Sequence, residues 1–276
     1  MKGQVVVSVP TAKRLIAQAV FELPEVRAAA KQGKIILKSG TTVAALAELL
    51  EVPPLRLGGR ITPDGARAAK RLVDAPHLVL LEGGQWRNVD QALTEELAKM
   101  GPDDLFITGA NALDSHGVAG LMAGLSGGSA AGKALGMLCS EGIKTIIAVG
   151  LEKLIPGSIV DICRQAGRRQ IDRSMGMAVG LLPLFGRVVT EKEALEMLTG
   201  AAVTVIGAGG LSGAEGATTM LVEGSADQVD KAFALIAAQL GRPTAGAQDS
   251  LISCDCGGFA CAGHRGCIYR PGSNND

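Results

Sequence analysis

The chain is poor in aromatic residues and has no excess of charge of either sign. Phe, Trp and Tyr make up 3% of its 276 residues, and 27 Lys and Arg balance 27 Asp and Glu. Proteins that bind single strands stack bases on aromatic side chains, and proteins that bind duplexes or acidic lipid surfaces carry basic patches. The composition offers neither feature, so we expect no nucleic-acid partner.

Long uninterrupted hydrophobic runs are also missing. A membrane-spanning helix needs about 18 or more apolar residues in succession, and no segment approaches that length. The uncharged segment 174–186 is short and contains Pro183, which indicates a buried wall or a contact in a homo-oligomer. The N-terminal apolar run is too short for a secretion signal. We therefore predict a cytoplasmic globular protein with no membrane partner, in which an apolar content of 47% fills a sizeable core.

Four of the six cysteines are concentrated near the C-terminus. Five residues with metal-ligating side chains lie there within fourteen positions: Cys254, Cys256, Cys261, His264 and Cys267. Thiolates and imidazole are ligands of zinc and of iron–sulfur clusters, but the spacing matches no common template of either. Zinc, an iron–sulfur cluster, disulfides and free thiols therefore remain alternatives, with disulfides disfavoured in a reducing cytosol. Cys139 and Cys163 lie in apolar helical patterns and are predicted core residues.

Short β-branched runs alternate with Ala- and Leu-rich amphipathic stretches, which predicts an α/β fold with a mostly parallel sheet and flanking helices. The predicted strands are 35–37, 78–81, 105–108, 145–149, 203–206 and 219–223, and the predicted helices are 42–50, 89–100, 130–141 and 226–240. Ser225 is the expected cap of the last helix. We divide the chain into an α/β body (1–200), a small βαβ-like subdomain (201–241) and a Cys/His-rich C-terminal appendage (242–276).

Glycine-rich turns that follow strands or lead into helices predict anion binding. Free N–H groups and the helix dipole face a ligand there, and such turns gather at the carboxyl ends of parallel strands. One such turn is equally well explained by chain reversal alone, whereas three together favour a binding site. The ligand-binding residues predicted on this basis are Gly40, Thr41, Thr42, Gly109, Asn111, Gly127, Gly128 and Ser129, with Lys133 adding positive charge.

Two nucleotide motifs are matched only superficially. Residues 127–133 contain Gly-Gly and Gly-Lys, but their spacing differs from a P-loop and no Ser or Thr follows the lysine. Residues 207–213 follow a predicted strand, and a dinucleotide-binding fingerprint requires a long helix after the glycines. Another strand is predicted there instead. No nucleotide cofactor is predicted.

Two carboxylates and one lysine are the candidate catalytic residues. Glu82 ends a predicted strand beside two glycines, where it could act as a base or a nucleophile, although a helix cap or an ion pair explains a lone Glu as well. Asp114 lies in the turn that begins at Gly109, two residues before His116, and Lys133 lies in the next predicted helix. Glu215 has the same alternatives as Glu82.

Three motifs carry a resemblance to a known superfamily. They are Lys38-Ser39-Gly40-Thr41-Thr42-Val43 before a helix, Leu57-Gly58-Gly59, and residues 108–114 before a glycine-rich turn. Over residues 34–156 the chain resembles ribose-5-phosphate isomerase, CoA transferases and DeoR-type sugar-phosphate sensors, and residues 146–156 are similar to a segment of lactate-utilisation (LUD) domains. The resemblance implies an isomerase/CoA-transferase-like fold in which the Gly-Thr-Thr loop holds phosphate, and it adds Gly58 and Gly59 to the ligand-binding set.

The departures from that pattern limit the activity that it implies. Asn111 replaces the first acid of the isomerase motif, and no Asp or Glu lies between Gly124 and Leu138, where the isomerase keeps its proton-abstracting Glu. Without a base at that place the isomerisation loses its central step, so ribose-5-phosphate isomerase activity is not expected. A helix-turn-helix segment of the repressor kind is also missing, which argues against a transcription factor.

The leading hypothesis is a site for a small anionic metabolite, such as a sugar phosphate, an acyl-CoA or a carboxylate, with catalysis left open. One alternative is a zinc or iron–sulfur module in the C-terminal appendage, with the body as a scaffold. Another is a family member that binds its ligand without turnover and acts as a sensor.

Overall fold

The computed structural model describes residues 1–70, 73–254 and 264–269. Over these residues the chain forms eight α-helices and fourteen β-strands. The helices are α1 (Val9–Glu22), α2 (Pro24–Gln32), α3 (Thr41–Leu49), α4 (Leu93–Leu97), α5 (Ser129–Ser140), α6 (Ile159–Gln165), α7 (Glu191–Thr199) and α8 (Ala226–Ala237). The strands are β1 (Lys2–Val7), β2 (Lys34–Lys38), β3 (Gly59–Thr62), β4 (Gly65–Ala68), β5 (Leu78–Glu82), β6 (Gln85–Asn88), β7 (Leu105–Thr108), β8 (Ala112–Leu113), β9 (Ala119–Ala123), β10 (Lys144–Ala148), β11 (Gly180–Leu184), β12 (Arg187–Val189), β13 (Ala202–Gly209) and β14 (Ala217–Glu223).

A six-stranded sheet forms the centre of the structure. Its strand order is β12-β10-β7-β2-β5-β6. The first four strands run parallel to one another, whereas β5 runs antiparallel to β2, and β6 runs antiparallel to β5. The predicted α/β class is therefore confirmed, and the sheet, which was predicted to be mostly parallel, is partly parallel.

Alternate residues of the central strands face two different layers, as the period of two in a β-strand requires. On one side Ile35, Leu37 and Ile107 pack in the largest core, together with residues of α1, α3 and α7. On the other side Ile36 and Phe106 pack with residues of α4 and α5. Each fully buried side chain of this size contributes about 1.5–3 kcal/mol through burial. We call the two sides the α1/α3 face and the α5 face.

Local capping explains where several helices begin and end. Thr190 and Glu193 form a capping box at the start of α7, and Gly200 ends that helix in the left-handed conformation. Ser225 caps α8 as predicted. The predicted helix 89–100 is wrong in length, because only residues 93–97 are helical and the chain before them still pairs or turns after β6.

The segment predicted as a βαβ-like unit forms an antiparallel arrangement instead. β13 pairs antiparallel with β14, which pairs antiparallel with β1 from the start of the chain. A hairpin satisfies the backbone of both strands without a crossover helix, so α8 follows the hairpin and packs on this three-stranded sheet.

Two further small sheets complete the fold. β3 and β4 form a hairpin, and β8, β9 and β11 form an antiparallel sheet with Pro183 on its edge strand β11. The uncharged segment 174–186 thus contributes this edge strand and a half-buried stretch beside β4. Among the described residues no helix is both long and apolar enough to cross a membrane.

Candidate functional site

The carboxyl ends of the four parallel strands bring several loops to one edge of the central sheet. β2 ends at Lys38, β7 at Thr108, β10 at Ala148 and β12 at Val189. Because ligands of open α/β sheets bind at this edge, we call it the carboxyl edge and describe its two faces in turn.

Lys38 is a buried cation at the carboxyl edge. Lys38 follows Ile36 by two residues along β2, so its side chain lies on the same α5 face. Only 8% of the residue is exposed. Burial lowers its pKa to about 8. Among the described residues no hydrogen-bond acceptor or carboxylate pairs with its ammonium group. A lysine buried without a counter-ion is costly unless a ligand supplies the negative charge.

His77 lies close to this positive charge and does not offset it. Burial lowers the pKa of His77 to about 4, and Lys38 and Arg56 lower it further, so the ring is neutral at physiological pH. Its Nδ1 lies 3.1 Å from the Arg56 carbonyl oxygen, which leaves Nε2 as the acceptor if Nδ1 carries the proton.

Several predicted glycines lie beside Lys38 and His77. A Cβ atom at Gly58 would lie 3.3 Å from His77 Cε1, and a Cβ atom at Gly40 would meet nothing within 4 Å. Met177 connects the hairpin to the next loop, because hypothetical Cβ atoms of Gly59 and Gly124 would both touch its side chain. The α5 face of the carboxyl edge thus gathers the loops at 40, 58–59 and 124–128, with open space at Gly40.

The amino end of α5 presents free backbone donors on the same face. Gly127 and Gly128 both have positive φ, and no side chain caps the helix. A Cβ atom at Gly132 would lie 1.8 Å from the Gly127 carbonyl oxygen, so the first turn of α5 closes on the loop in a way that only glycine allows. Ser129 and Lys133 are exposed at this helix end. Such a loop favours an anion.

Thr41 and Thr42 begin α3 and therefore lie on the opposite side of the edge. Gly40 precedes the helix, no side chain caps it, and Thr42 is buried whereas Thr41 is half-buried. The structure thus brings all three predicted loops to one edge but divides them between its two faces.

The side chains of Asn111 and Asp114 accept hydrogen bonds from backbone amides around them. The Asn111 side-chain oxygen accepts from the Met122 amide at 3.0 Å. Asp114 is 3% exposed and accepts from three backbone amides, of His116, Val118 and Ile159, at 2.9–3.0 Å. Burial would raise the pKa of Asp114, but these amide bonds outweigh it and lower the pKa. A carboxylate held in this way shapes the turn and α6.

Glu82 does not reach the carboxyl edge. β5 runs antiparallel to β2, so Glu82 pairs with Lys34 at the start of β2, and its carboxylate lies 3.7 Å from Lys34 Nζ. Glu82 is therefore not brought together with the other two predicted catalytic residues, Asp114 in the turn after β8 and Lys133 in α5.

The α1/α3 face holds acidic residues that the sequence analysis did not select. Glu191, at the start of α7, is 1% exposed and accepts from the Leu151 amide at 2.9 Å and from Thr218 Oγ1 at 3.3 Å. Burial raises its pKa to about 7, with a further contribution from Glu152. Lys13 of α1 interacts with Glu152, and burial lowers the pKa of this lysine against the opposing effect of that carboxylate. Glu152 and Glu191 each follow a strand, β10 and β12, and this position is the one sequence signal that could have pointed to them. Only the fold brings the two residues together.

The C-terminal segments dock on the hairpin and on residues 174–178. The Cys254 amide donates to the Ala68 carbonyl oxygen, and Ser174 forms an isolated β-bridge with Cys267. Cys254, His264 and Cys267 are all less than 10% exposed, and burial with Arg168 nearby lowers the pKa of His264. Over the described residues no group of three or more His, Cys, Asp or Glu could hold a metal ion. Cys256 and Cys261 lie outside the described residues, so the predicted five-residue ligand set stays a prediction.

The other two cysteines differ from their predicted burial. Cys139 is exposed and Cys163 is half-buried. Both lie on the outer sides of α5 and α6, where apolar periodicity alone does not say which face is covered.

A comparison with known proteins found no matching family model, no matching curated protein and no matching solved structure.

Proposed function

We propose that this protein binds a small anionic metabolite on the α5 face of the carboxyl edge. The observation that carries the proposal is Lys38, a lysine that is 8% exposed and has no counter-ion among the described residues. Gly40, two residues after Lys38, has open space where a side chain would lie, and Gly58 packs against His77, whose pKa Lys38 lowers. A phosphate or carboxylate in that space offsets the buried charge.

The amino end of α5 supports the same ligand chemistry. Gly127 and Gly128 lead into the helix with positive φ, no side chain caps its first N–H groups, and Lys133 adds an exposed positive charge in its first turns. The α/β sheet is compatible with an isomerase/CoA-transferase-like fold, and we retain that relationship as a proposal that rests on the sequence motifs. A sugar phosphate, an acyl-CoA or a carboxylate fits this site.

The proposal assigns binding and no acid–base step to this face. Glu82 lies at the opposite edge of the sheet, and all of the hydrogen bonds that hold Asp114 come from backbone amides. A ligand sensor without turnover is therefore as compatible with this site as an enzyme.

The test is ligand-induced thermal stabilisation of the wild-type chain and of Lys38→Met. The probes are inorganic phosphate, a sugar phosphate, a CoA ester and a dicarboxylate. We expect at least one of them to raise the melting temperature of the wild type, and the shift to disappear in Lys38→Met. Lys31→Met, an exposed lysine of α2, is the matched control and keeps the shift. No shift with any probe, or an equal shift in both variants, contradicts the proposal.

A second candidate function is a zinc or iron–sulfur module in the C-terminal segment. The observation that favours it is that residues on both sides of 255–263 make backbone hydrogen bonds to the body of the structure. Cys254 bonds to Ala68 and Arg265 to Ala178, on two adjacent chain segments that run parallel at Ala66 and Gly176. The buried Cys254, His264 and Cys267 are thus fixed near the hairpin, as residues of a metal-binding segment would be.

Elemental analysis and visible absorbance of anaerobically purified protein test this second candidate. Stoichiometric zinc in colourless protein supports a structural zinc site, and a brown protein with iron supports a cluster. Metal-free protein with four reactive thiols in the C-terminal segment contradicts both. Cys139→Ser, which changes an exposed cysteine of α5, is the control that keeps the metal.

A further inference from the structure

Three strand ends present a second polar space on the α1/α3 face of the carboxyl edge. Leu37, Ile107 and Ala148 belong to the core of that face. By the alternation of strand residues, Ser39, Gly109 and Gly150 follow them on the same side, at the ends of the neighbouring strands β2, β7 and β10. The backbone is still strand-like there, since the Ser39 amide bonds to His77 and the Val149 amide to Val189.

Two buried oxygen atoms in this space have no partner among the described residues. Ser39 is 6% exposed and its Oγ makes no hydrogen bond. The Glu152 side chain is 10% exposed and its Oε2 makes none either. Buried polar atoms are almost always paired, so two such atoms at one sheet edge require a partner that the described part of the chain does not provide.

The glycines between these atoms leave room for that partner. A Cβ atom at Gly150 would lie 1.8 Å from Glu152 Oε2, so the carboxylate occupies the place of a missing side chain at the end of β10. Gly109 has no side chain in the strand between. The strand register places Ser39 level with Ala148, so Gly150 lies two residues further along β10. Two interstrand spacings of about 4.8 Å, combined with two strand residues of about 3.3 Å each, put Ser39 and Gly150 about 12 Å apart. Hydrogen bonds of about 2.8 Å at either side leave about 6 Å between two ligand oxygens, a distance that the terminal hydroxyls of a four-carbon polyol can span.

The charges around this space favour an uncharged ligand. Glu152 and Glu191 disfavour an anion, and Lys13 and Lys153 disfavour a cation, with Lys153 Nζ 4.0 Å from Glu152 Oε1. An unpaired carboxylate oxygen needs a donor, and a serine hydroxyl can donate or accept. A hydroxyl group satisfies both.

We propose that Ser39 and Glu152 form a binding site for a small uncharged polyol, with one ligand hydroxyl donating to Glu152 Oε2 and a second hydrogen-bonded to Ser39 Oγ. The site lies on the opposite face of the carboxyl edge from Lys38, and the inference goes beyond the proposed anion binding. Glu191 does not touch the ligand; it holds the Leu151 amide and thereby positions Glu152.

Saturation-transfer NMR with erythritol and 1,4-butanediol at millimolar concentration tests the proposal, with 1-butanol as the comparison that has a single hydroxyl group. We expect the two polyols to bind the wild type more tightly than 1-butanol. Glu152→Gln removes a charged acceptor and is expected to weaken polyol binding at least tenfold. Ser39→Ala is expected to weaken polyol binding as well. If Glu152→Gln does not fold, the affinity of Ser39→Ala for the polyols is the test of the proposed site. Glu95→Gln, an exposed glutamate of α4, is the control that leaves binding unchanged.

The outcomes separate this inference from the proposed function. Polyol binding that persists in Lys38→Met supports a site on the α1/α3 face, even if no anion binds the wild type. Three results overturn the inference: no polyol signal in the wild type, a signal as strong in Ser39→Ala or Glu152→Gln as in the wild type, or its loss in Lys38→Met.

Discussion

Replacing Lys38 by methionine is expected to stabilise the protein at neutral pH, although it removes a residue of the proposed site. Burial lowers the pKa of Lys38 from 10.5 to about 8, which corresponds to a cost of about 3 kcal/mol for keeping the ammonium group charged in the folded chain. Methionine has a similar length and no charge, so Lys38→Met is expected to gain up to about that amount in free energy of unfolding at pH 7.

The pH dependence makes this expectation specific. The unfolded chain keeps the Lys38 proton up to pH 10.5, whereas the folded chain releases it at about pH 8. Between these values the unfolded state binds more protons, so the wild type gains stability as the pH rises through this window. The advantage of Lys38→Met should therefore be full below pH 8 and shrink toward pH 10.5.

Urea unfolding of both chains from pH 6 to pH 10.5 measures the difference, and the subtraction removes the titration of other groups. A variant that is less stable than the wild type at pH 7 would refute the reasoning. So would a difference that does not change with pH. A bound anion raises the pKa of Lys38, so a probe that binds should reduce the advantage of Lys38→Met at pH 7 and bind more weakly to the wild type above pH 8.

Three further substitutions test other parts of the structure. Burial raises the pKa of Glu191 to about 7, so the wild type should lose up to about 3 kcal/mol relative to Glu191→Gln as the pH rises from 4.5 to 7, and equal pH profiles in urea unfolding would contradict this. Gly132→Ala places a Cβ atom 1.8 Å from the Gly127 carbonyl oxygen and should destabilise the protein by about 2 kcal/mol or more in thermal unfolding, whereas Gly136→Ala on the same helix meets nothing within 4 Å and should stabilise it by about 0.5–1 kcal/mol. Asp114→Asn replaces an acceptor of three buried amides and should cost about 1–3 kcal/mol, so an unchanged free energy of unfolding would argue against its structural role.

Periodicity and capping were sufficient to find the strands β2, β5, β7 and β10 of the central sheet and the helices α3, α5 and α8. The runs at 35–37, 105–108 and 145–149 are apolar on both faces, which is typical of central parallel strands, and all three lie in the central sheet. Helix ends with clear signals, such as Ser225 before α8, were also predictable. The helix 89–100 was overestimated because apolar spacing continues into the turn before α4, and the hairpin β13–β14 was mistaken for a βαβ unit because strand direction is not encoded in a local pattern.

The candidate site was predictable in its loops and not in its side chains. Glycine turns after strands led to the loops at Gly40 and Gly109, and those loops do meet at the carboxyl edge. Lys38 is not among the predicted site residues, although it begins one of the motifs, because nothing in the sequence indicates that it is buried without a counter-ion. Glu82 was selected on its position at a strand end, and the antiparallel direction of β5 places it at the other edge.

The sequence by itself determined the class of fold, the place of the central parallel strands β2, β7 and β10 in the chain, and the glycine turns that a parallel sheet collects at one edge, because these depend on local periodicity and backbone conformation. Tertiary structure alone decided which charged and polar groups lose water without gaining a partner. Lys38, Ser39 and Glu152 are ordinary residues in the sequence, and each becomes a candidate for ligand binding only because residues far away in the chain bury it. Burial is a property of the packed layers, and the free energy of an unpaired buried group follows from it.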